Sequence, residues 1–250
     1  MSNFYILLRR EFLIFINKIN FYILFLFLFP IILFLFIVTP LLSIIHLDSL
    51  MNYKYQAFTS IFYVTTTFCA FIMPLLIFKR DRIDSKYFNN LFNINSLVYS
   101  LYVLFFSISF AYLQFTVAFF ISISLLDILA SSKFIFFFIL IFPSILFFSS
   151  LGILLSNLFY SKESIIFLSI FLFIYQSFAI GTFIPMNYYS DNYQKFNEVY
   201  NLIYYLQKLF VQVLEAKNII MGAPIIGIFV SVLFFGLHML IYNKKKTTNK

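Results

Sequence analysis

Six long stretches without a single Asp, Glu, Lys or Arg constrain this chain of 250 residues more than any other feature. They lie at 19–45, 55–78, 87–126, 134–161, 164–190 and 218–243, with His46 taken as a boundary. A helix needs about 20 mostly apolar residues, rising 1.5 Å each, to cross the hydrocarbon core of a bilayer. Five runs fit one crossing each. The run 87–126 would make a helix of about 60 Å, too long for one crossing. Its first part carries Asn89, Asn90, Asn93, Asn95 and Ser96, so that part belongs at the membrane surface and the crossing begins near Leu97.

Composition agrees. The chain is 63% hydrophobic and 10% charged, where soluble domains carry about 25% charged residues. A soluble enzyme, a nucleic-acid-binding domain and a disordered tail are excluded on that ground. The 40 Phe, 18 Tyr and no Trp, beside only five Gly, match an AT-rich coding bias, so a single Phe carries little functional information. Cys69 has no second cysteine to pair with, which removes any disulfide framework.

The first crossing is the most apolar. Between Phe21 and Val38 every residue except Tyr22 and Pro30 is Phe, Leu, Ile or Val. The stretch is longer than a signal-peptide core and no small-residue cleavage site follows it, so it is expected to stay in the chain. Orientation follows from Lys and Arg. With the N-terminus in the cytoplasm and six crossings, the inner face holds Arg9, Arg10, Lys18, Lys79, Arg80, Arg82, Lys86, Lys162, Lys244, Lys245, Lys246 and Lys250. The whole net charge of +8 then lies inside and the outer face is neutral. The basic residues are read as topology signals and lipid contacts, not as a nucleic-acid surface.

The expected architecture is an all-α membrane protein, N-in and C-in, as one transmembrane domain over 1–250. Residues 1–20 form a cytoplasmic interfacial helix, and the spans are about 21–45, 57–78, 97–126, 134–160, 164–185 and 219–242. A cytoplasmic loop occupies 79–96, with acids and bases spaced for a short helix. An outer segment occupies 186–218, and a cytoplasmic tail 243–250. Within the outer segment, Phe196, Val199, Leu202, Ile203, Leu206, Leu209, Phe210, Val213 and Leu214 recur at steps of three and four, marking one face of an interfacial or re-entrant helix.

No catalytic constellation is visible. Neither His46 nor His238 has a second ligand at helical spacing, so no metal site is expected, and the five scattered glycines form no phosphate loop. The chain is therefore expected to bind no nucleotide or cofactor itself. His238 reads best as a polar group bonded to a neighbouring helix. Polar residues inside the spans are candidates either for lining a path or for tying helices together: Thr65, Thr66, Gln114, Gln176 and Ser177 above all. Gly152 and Ser156 form a small-xxx-small pair that permits close helix approach.

These features together resemble the ABC-2 type permeases. Leu8–Phe12 (LRREF) is similar to the family's basic start, and Pro30 stands where its first span often carries proline. Lys79–Ile83 (KRDRI) matches the charged run after span two. Lys86, Tyr87, Phe88 and Asn89 replace the usual Gly-Thr-Leu-Glu. Ile180–Pro185 (IGTFIP) is similar to Ser-Gly-x-x-x-Pro through Gly181 and Pro185, and Asn201–Tyr205 (NLIYY) to Asn-Pro-Leu-x-Tyr without its proline.

The resemblance implies a permease subunit of an exporter in a bacterial plasma membrane. It would pair with a second, identical or different permease, and a separate cytoplasmic ATPase carrying ATP and Mg would drive it. The loop 79–96 would be a coupling loop, the ATPase docking on Arg80, Asp81, Arg82, Asp84, Lys86, Asn89 and Asn90, with Arg9, Arg10 and Glu11. Gly181, Pro185 and Asn201 would build the outer re-entrant motif. Lipid, drug, peptide or polysaccharide all fit as substrate. A non-transporting membrane accessory or assembly protein is the alternative, and a haem-exporter-like subunit of cytochrome c maturation a third, which the long outer amphipathic segment disfavours.

Overall fold

A computed structural model describes residues 3–44, 47–92, 95–159, 161–184, 188–215 and 222–248. No strand occurs among them. Helix α1 (Asn3–Asn17) leads through Lys18 into α2 (Ile19–Leu33), a π-helical turn (Phe34–Val38) and α3 (Thr39–Ile44). Pro30 lies inside α2, and its missing N–H weakens the helical ladder there. The turn that follows is held in i−5 register, because the Thr39 backbone N–H and its hydroxyl both reach the Phe34 carbonyl.

Helix α4 (Leu47–Phe92) is a continuous run of 46 residues, about 69 Å at the helical rise. It is also the centre of the bundle. In its apolar window 83% of residues are buried, against 22% for Ile19–Ile44 and 17% for Gly222–Tyr242. Around it stand α5 (Ser96–Leu126), α6 (Phe134–Leu140) with α7 (Phe142–Ser156), α8 (Lys162–Ala179), α10 (Leu202–Leu214) and α11 (Gly222–Thr248). Asn95 caps α5, its side chain accepting from the Leu97 N–H at 3.0 Å.

Among the described residues, five helical segments are long and apolar enough to cross a membrane: Ile19–Ile44, Tyr53–Asp81, Ser96–Leu126, Phe134–Ser156 and Gly222–Tyr242. Two further apolar helices, Glu163–Ala179 and Leu202–Leu214, are shorter.

The core carries a dense aromatic cluster among its Ile, Leu, Val and Ala side chains. Phe58 and Phe62 of α4, Phe115 and Phe119 of α5, Phe137 of α6 and Phe210 of α10 form one cluster. Phe62 meets Phe115 edge-on at 5.4 Å and Phe210 at 5.3 Å between ring centroids, geometries that suit the ring quadrupoles. At the other contact of α4, α7 passes so close that a Cβ on Gly152 would stand 2.4 Å from the Phe71 carbonyl oxygen and 3.3 Å from the Pro74 ring. Only glycine allows that approach.

The structure differs from the sequence reading in two places. The segment 79–96, expected as a loop with a short helix, is the continuation of α4 as far as Phe92, since neither glycine nor proline interrupts it. The apolar face expected to run unbroken from Phe196 to Leu214 is divided into α9 (Asp191–Tyr200) and α10. The break falls at Asn201, whose backbone is extended (φ −95°, ψ 96°). Its Oδ1 accepts from the N–H groups of Ile203 and Tyr204, and its Nδ2 donates to Asn197 Oδ1 at 2.7 Å. A capping side chain of that kind starts a helix and ends the previous one.

Candidate coupling site and polar seam

At one end of the bundle the few charged side chains of the core converge. Arg80 of α4 donates from both terminal nitrogens to the two carboxylate oxygens of Glu11 at 2.7 Å each, a fork that fits the planar guanidinium. Its Nε donates to Asp81 at 2.9 Å. Arg10 of α1 donates to Asp81 at 2.6 Å. Two tyrosines of α5 complete the set, Tyr99 donating to Asp81 at 2.8 Å and Tyr102 to Glu11 at 2.5 Å. Glu11 is 2% exposed, so its charge is tolerated only because these donors surround it. Burial on its own would lower the pKa of Arg10, but the charge and hydrogen bond of Asp81 outweigh it and the net shift is upward. Two positive and two negative groups leave the cluster neutral while clamping α1, α4 and α5 together.

A second tie lies beside the first. His238 of α11 is fully buried, with Nε2 2.8 Å from Ser100 Oγ and Nδ1 2.8 Å from Asn157 Nδ2. Nδ1 also lies 3.1 Å from the Ile153 carbonyl oxygen of α7. Phe78 links the two ties, edge-on to Tyr99 at 5.2 Å and to His238 at 5.5 Å. One end of the molecule is thus locked through α1, α4, α5, α7 and α11.

Of the residues expected to receive an ATPase, the structure brings together Arg10, Glu11, Arg80 and Asp81, and spends them on one another. Arg9 is exposed. The side chains of Arg82, Asp84, Lys86, Asn89 and Asn90 lie outside the described ones, though their backbone belongs to α4. Tyr99 and Tyr102 escaped the sequence reading. Their spacing of three at the start of a span, opposite a charged run, is the signal that marks them.

Along the middle of α4 the chemistry is different. At 100° per residue, Gln56, Thr59, Ser60, Tyr63, Thr66 and Thr67 fall within about 120° of arc, while Thr65 lies on the opposite side. All of these but Gln56 are buried. The stripe faces α8 and α10: Gln56 Nε2 lies 3.2 and 3.4 Å from the carbonyls of Ile180 and Gly181, Gln207 Nε2 donates to Thr59 Oγ1 at 2.7 Å, and the Thr67 hydroxyl, which donates to the Tyr63 carbonyl at 2.7 Å, stands 3.4 Å from Gln176 Oε1. Ser60, Thr66 and Ser177 hydroxyls and the Gln176 amide nitrogen are buried without a hydrogen-bond partner.

The expected path-lining residues therefore separate. Thr65 bonds back to Ile61 in its own helix. Gln114 is a tie, donating to the Leu26 carbonyl at 3.2 Å and accepting from Cys69. Thr66, Gln176 and Ser177 retain unused capacity.

Gly181 closes α8 with φ 75°. The Thr182 N–H bonds the Ser177 carbonyl at 2.8 Å and the Gly181 N–H that of Phe178 at 3.3 Å, a pairing that needs a left-handed residue at this position. Pro185 lies outside the described residues. No group of His, Cys, Asp and Glu able to hold a metal ion occurs among the described residues.

A bundle whose described residues hold helices and no strand, five of the helices able to cross a bilayer, defines a multi-pass membrane protein. The family model described as ABC-2 type transporter matches residues 2–214, so the chain belongs to that family. Such a domain is a membrane transport component, generally not catalytic itself, that typically works with a cytoplasmic ATPase. No curated protein and no solved structure matches the chain.

Proposed function

We propose that this chain is the permease subunit of an ABC exporter, acting as one of two such subunits above a separate cytoplasmic ATPase that supplies ATP and Mg. Family membership supports the class. The observation that carries the mechanism is α4 itself. One unbroken helix joins the buried polar stripe at its middle to the ion cluster at Arg80 and Asp81, then continues to Phe92. That continuation adds about 16 Å beyond Asp81. A helix anchored by charge at its exit from the bundle, with Pro74 as its one proline between the anchor and the stripe, would carry a displacement of its tip to the stripe facing α8 and α10.

In this reading the bundle has six crossings, N-in and C-in. Helix α8, about 27 Å long, is the fifth, short enough to require slight thinning of the bilayer. Helices α9 and α10 fold back from the outer side, with Phe210 inserted among the core aromatics. The α4 tip, with Arg82, Asp84, Lys86, Asn89 and Asn90, and exposed Arg9 meet the ATPase, while Arg10, Glu11, Arg80 and Asp81 anchor the lever. The path runs along Ser60, Thr66, Gln176 and Ser177. The inner side of a bacterial plasma membrane accounts for the basic face.

Gentle extraction of the full chain from native membranes tests the proposal. Recovery of a complex with a Walker-motif ATPase and ATP-dependent substrate movement in proteoliposomes is expected. Recovery of the chain without an ATPase, and without nucleotide-dependent activity, would remove it in favour of an accessory role.

A further inference from the structure

Beside the ion cluster, α1, the start of α2 and the end of α4 enclose a groove of about 640 Å³. Its walls are apolar, formed by Ile14, Phe21, Tyr22, Met73, Leu76 and Ile77. Two lysines also line it, Lys18 from the α1–α2 junction and Lys79 from α4. Glu11 and Arg80 also border it, but they are paired with each other at 2.7 Å and cancel. Neither Lys18 nor Lys79 forms a salt bridge among the described residues, so the groove presents two uncompensated positive charges above a hydrocarbon-like floor. Phe21, at 65%, and Leu76, at 45%, leave much of that floor open to the surroundings of the bundle.

From this juxtaposition we infer that the groove seats an anionic phospholipid of the cytoplasmic leaflet, its phosphate between Lys18 and Lys79 and an acyl chain along Phe21, Leu76 and Ile77. The assignment of leaflet rests on the N-in orientation proposed above. The charge complementarity is specific. Phosphatidylcholine brings a quaternary ammonium with its phosphate to the same two lysines, whereas phosphatidylglycerol brings a net negative charge and no cation, and basic pockets between membrane helices on this side bind such lipids. The occupied groove would lie against the Glu11–Arg80 pair and brace α1 on α4 from the lipid side.

The chain contains no tryptophan, which makes a single introduced one a clean probe. The full chain carrying Phe21→Trp is reconstituted in vesicles with brominated phosphatidylglycerol or brominated phosphatidylcholine at equal mole fraction. Phe229→Trp, on a residue 64% exposed on α11, is the control. Several-fold stronger quenching by the anionic lipid at position 21, with none of that preference at 229, is expected. The preference should vanish in a Lys18→Gln/Lys79→Gln background whose helicity and elution volume match the parent. Equal quenching by both lipids, quenching by neither (the groove filled by protein), or a preference that survives the double substitution would each overturn the inference. Labelling of Lys18→Cys in the Cys69→Ser background, by an impermeant maleimide on sealed vesicles of known orientation, tests the leaflet separately. Reaction from the outside would overturn the orientation while the quenching still decides whether the lipid binds.

Discussion

The two polar regions of α4 differ in how completely they are satisfied. At Arg80 and Asp81 every ionised oxygen is engaged: Glu11 accepts from Arg80 and Tyr102, and Asp81 from Arg80, Arg10 and Tyr99. A few turns away, Ser60, Thr66, Ser177 and the Gln176 amide are buried with no partner. Folded proteins seldom leave buried polar atoms unpaired without a reason beyond packing. In the proposed function the difference separates a fixed point from a working surface: the cluster holds helices in place, while the stripe would keep hydrogen-bonding capacity for something that passes.

That comparison can be broken at the cluster first. Glu11→Ala removes the buried carboxylate that Arg80 grips with both terminal nitrogens and Tyr102 bonds, leaving Arg10 and Arg80 to share the Asp81 carboxylate, and should cost about 3–5 kcal/mol. The expected result is a large fall in the thermal midpoint of the detergent-solubilised chain, with α1 becoming accessible to protease. An unchanged midpoint would reduce the cluster to a surface contact. Gly152→Ala probes the apolar seam between α4 and α7. A methyl 2.4 Å from the Phe71 carbonyl forces the helices apart and should cost about 1–3 kcal/mol, visible in the same melting experiment.

Smaller effects sharpen the contrast. Asn201→Ala removes the cap of α10 and should cost about 1 kcal/mol, with faster backbone hydrogen exchange at Ile203 and Tyr204. A uniform change across the bundle would instead point to a global role for Asn201. Thr66→Val and Ser60→Ala remove buried hydroxyls that have no hydrogen-bond partner, so stability should hold or rise. Transport by the complex should nevertheless change in rate or selectivity. A loss of stability without any change in transport would make the stripe ordinary packing.

Much of the architecture was legible because the charges are so few. Uncharged runs mark most of the crossings, and Gly152 with Ser156 announced a close helix approach that the Phe71 carbonyl now explains. His238 was readable as a tie, though not its partners: Ser100 and Asn157 are 138 and 81 residues distant in sequence. The ion cluster was half visible. Arg10, Glu11, Arg80 and Asp81 stood out as charged motifs, but local spacing cannot say that α1 folds back upon α4, so they read as an external surface. The break at Asn201 was hidden because the apolar periodicity runs through it, and only the competing bond from the Asn side chain decides the outcome. The continuity of α4 past Lys79 was hidden for the opposite reason, since polar residues after a span look like a loop even where nothing ends the helix.

The central claim is that the far end of α4 meets an ATPase and moves with it. Asp84→Cys in a Cys69→Ser background places one reactive thiol on that extension, and crosslinking in native membranes reads its neighbour directly. The account predicts one dominant product containing the ATPase, with a yield that changes when nucleotide is trapped. A product without the ATPase, or a yield indifferent to nucleotide, would contradict it.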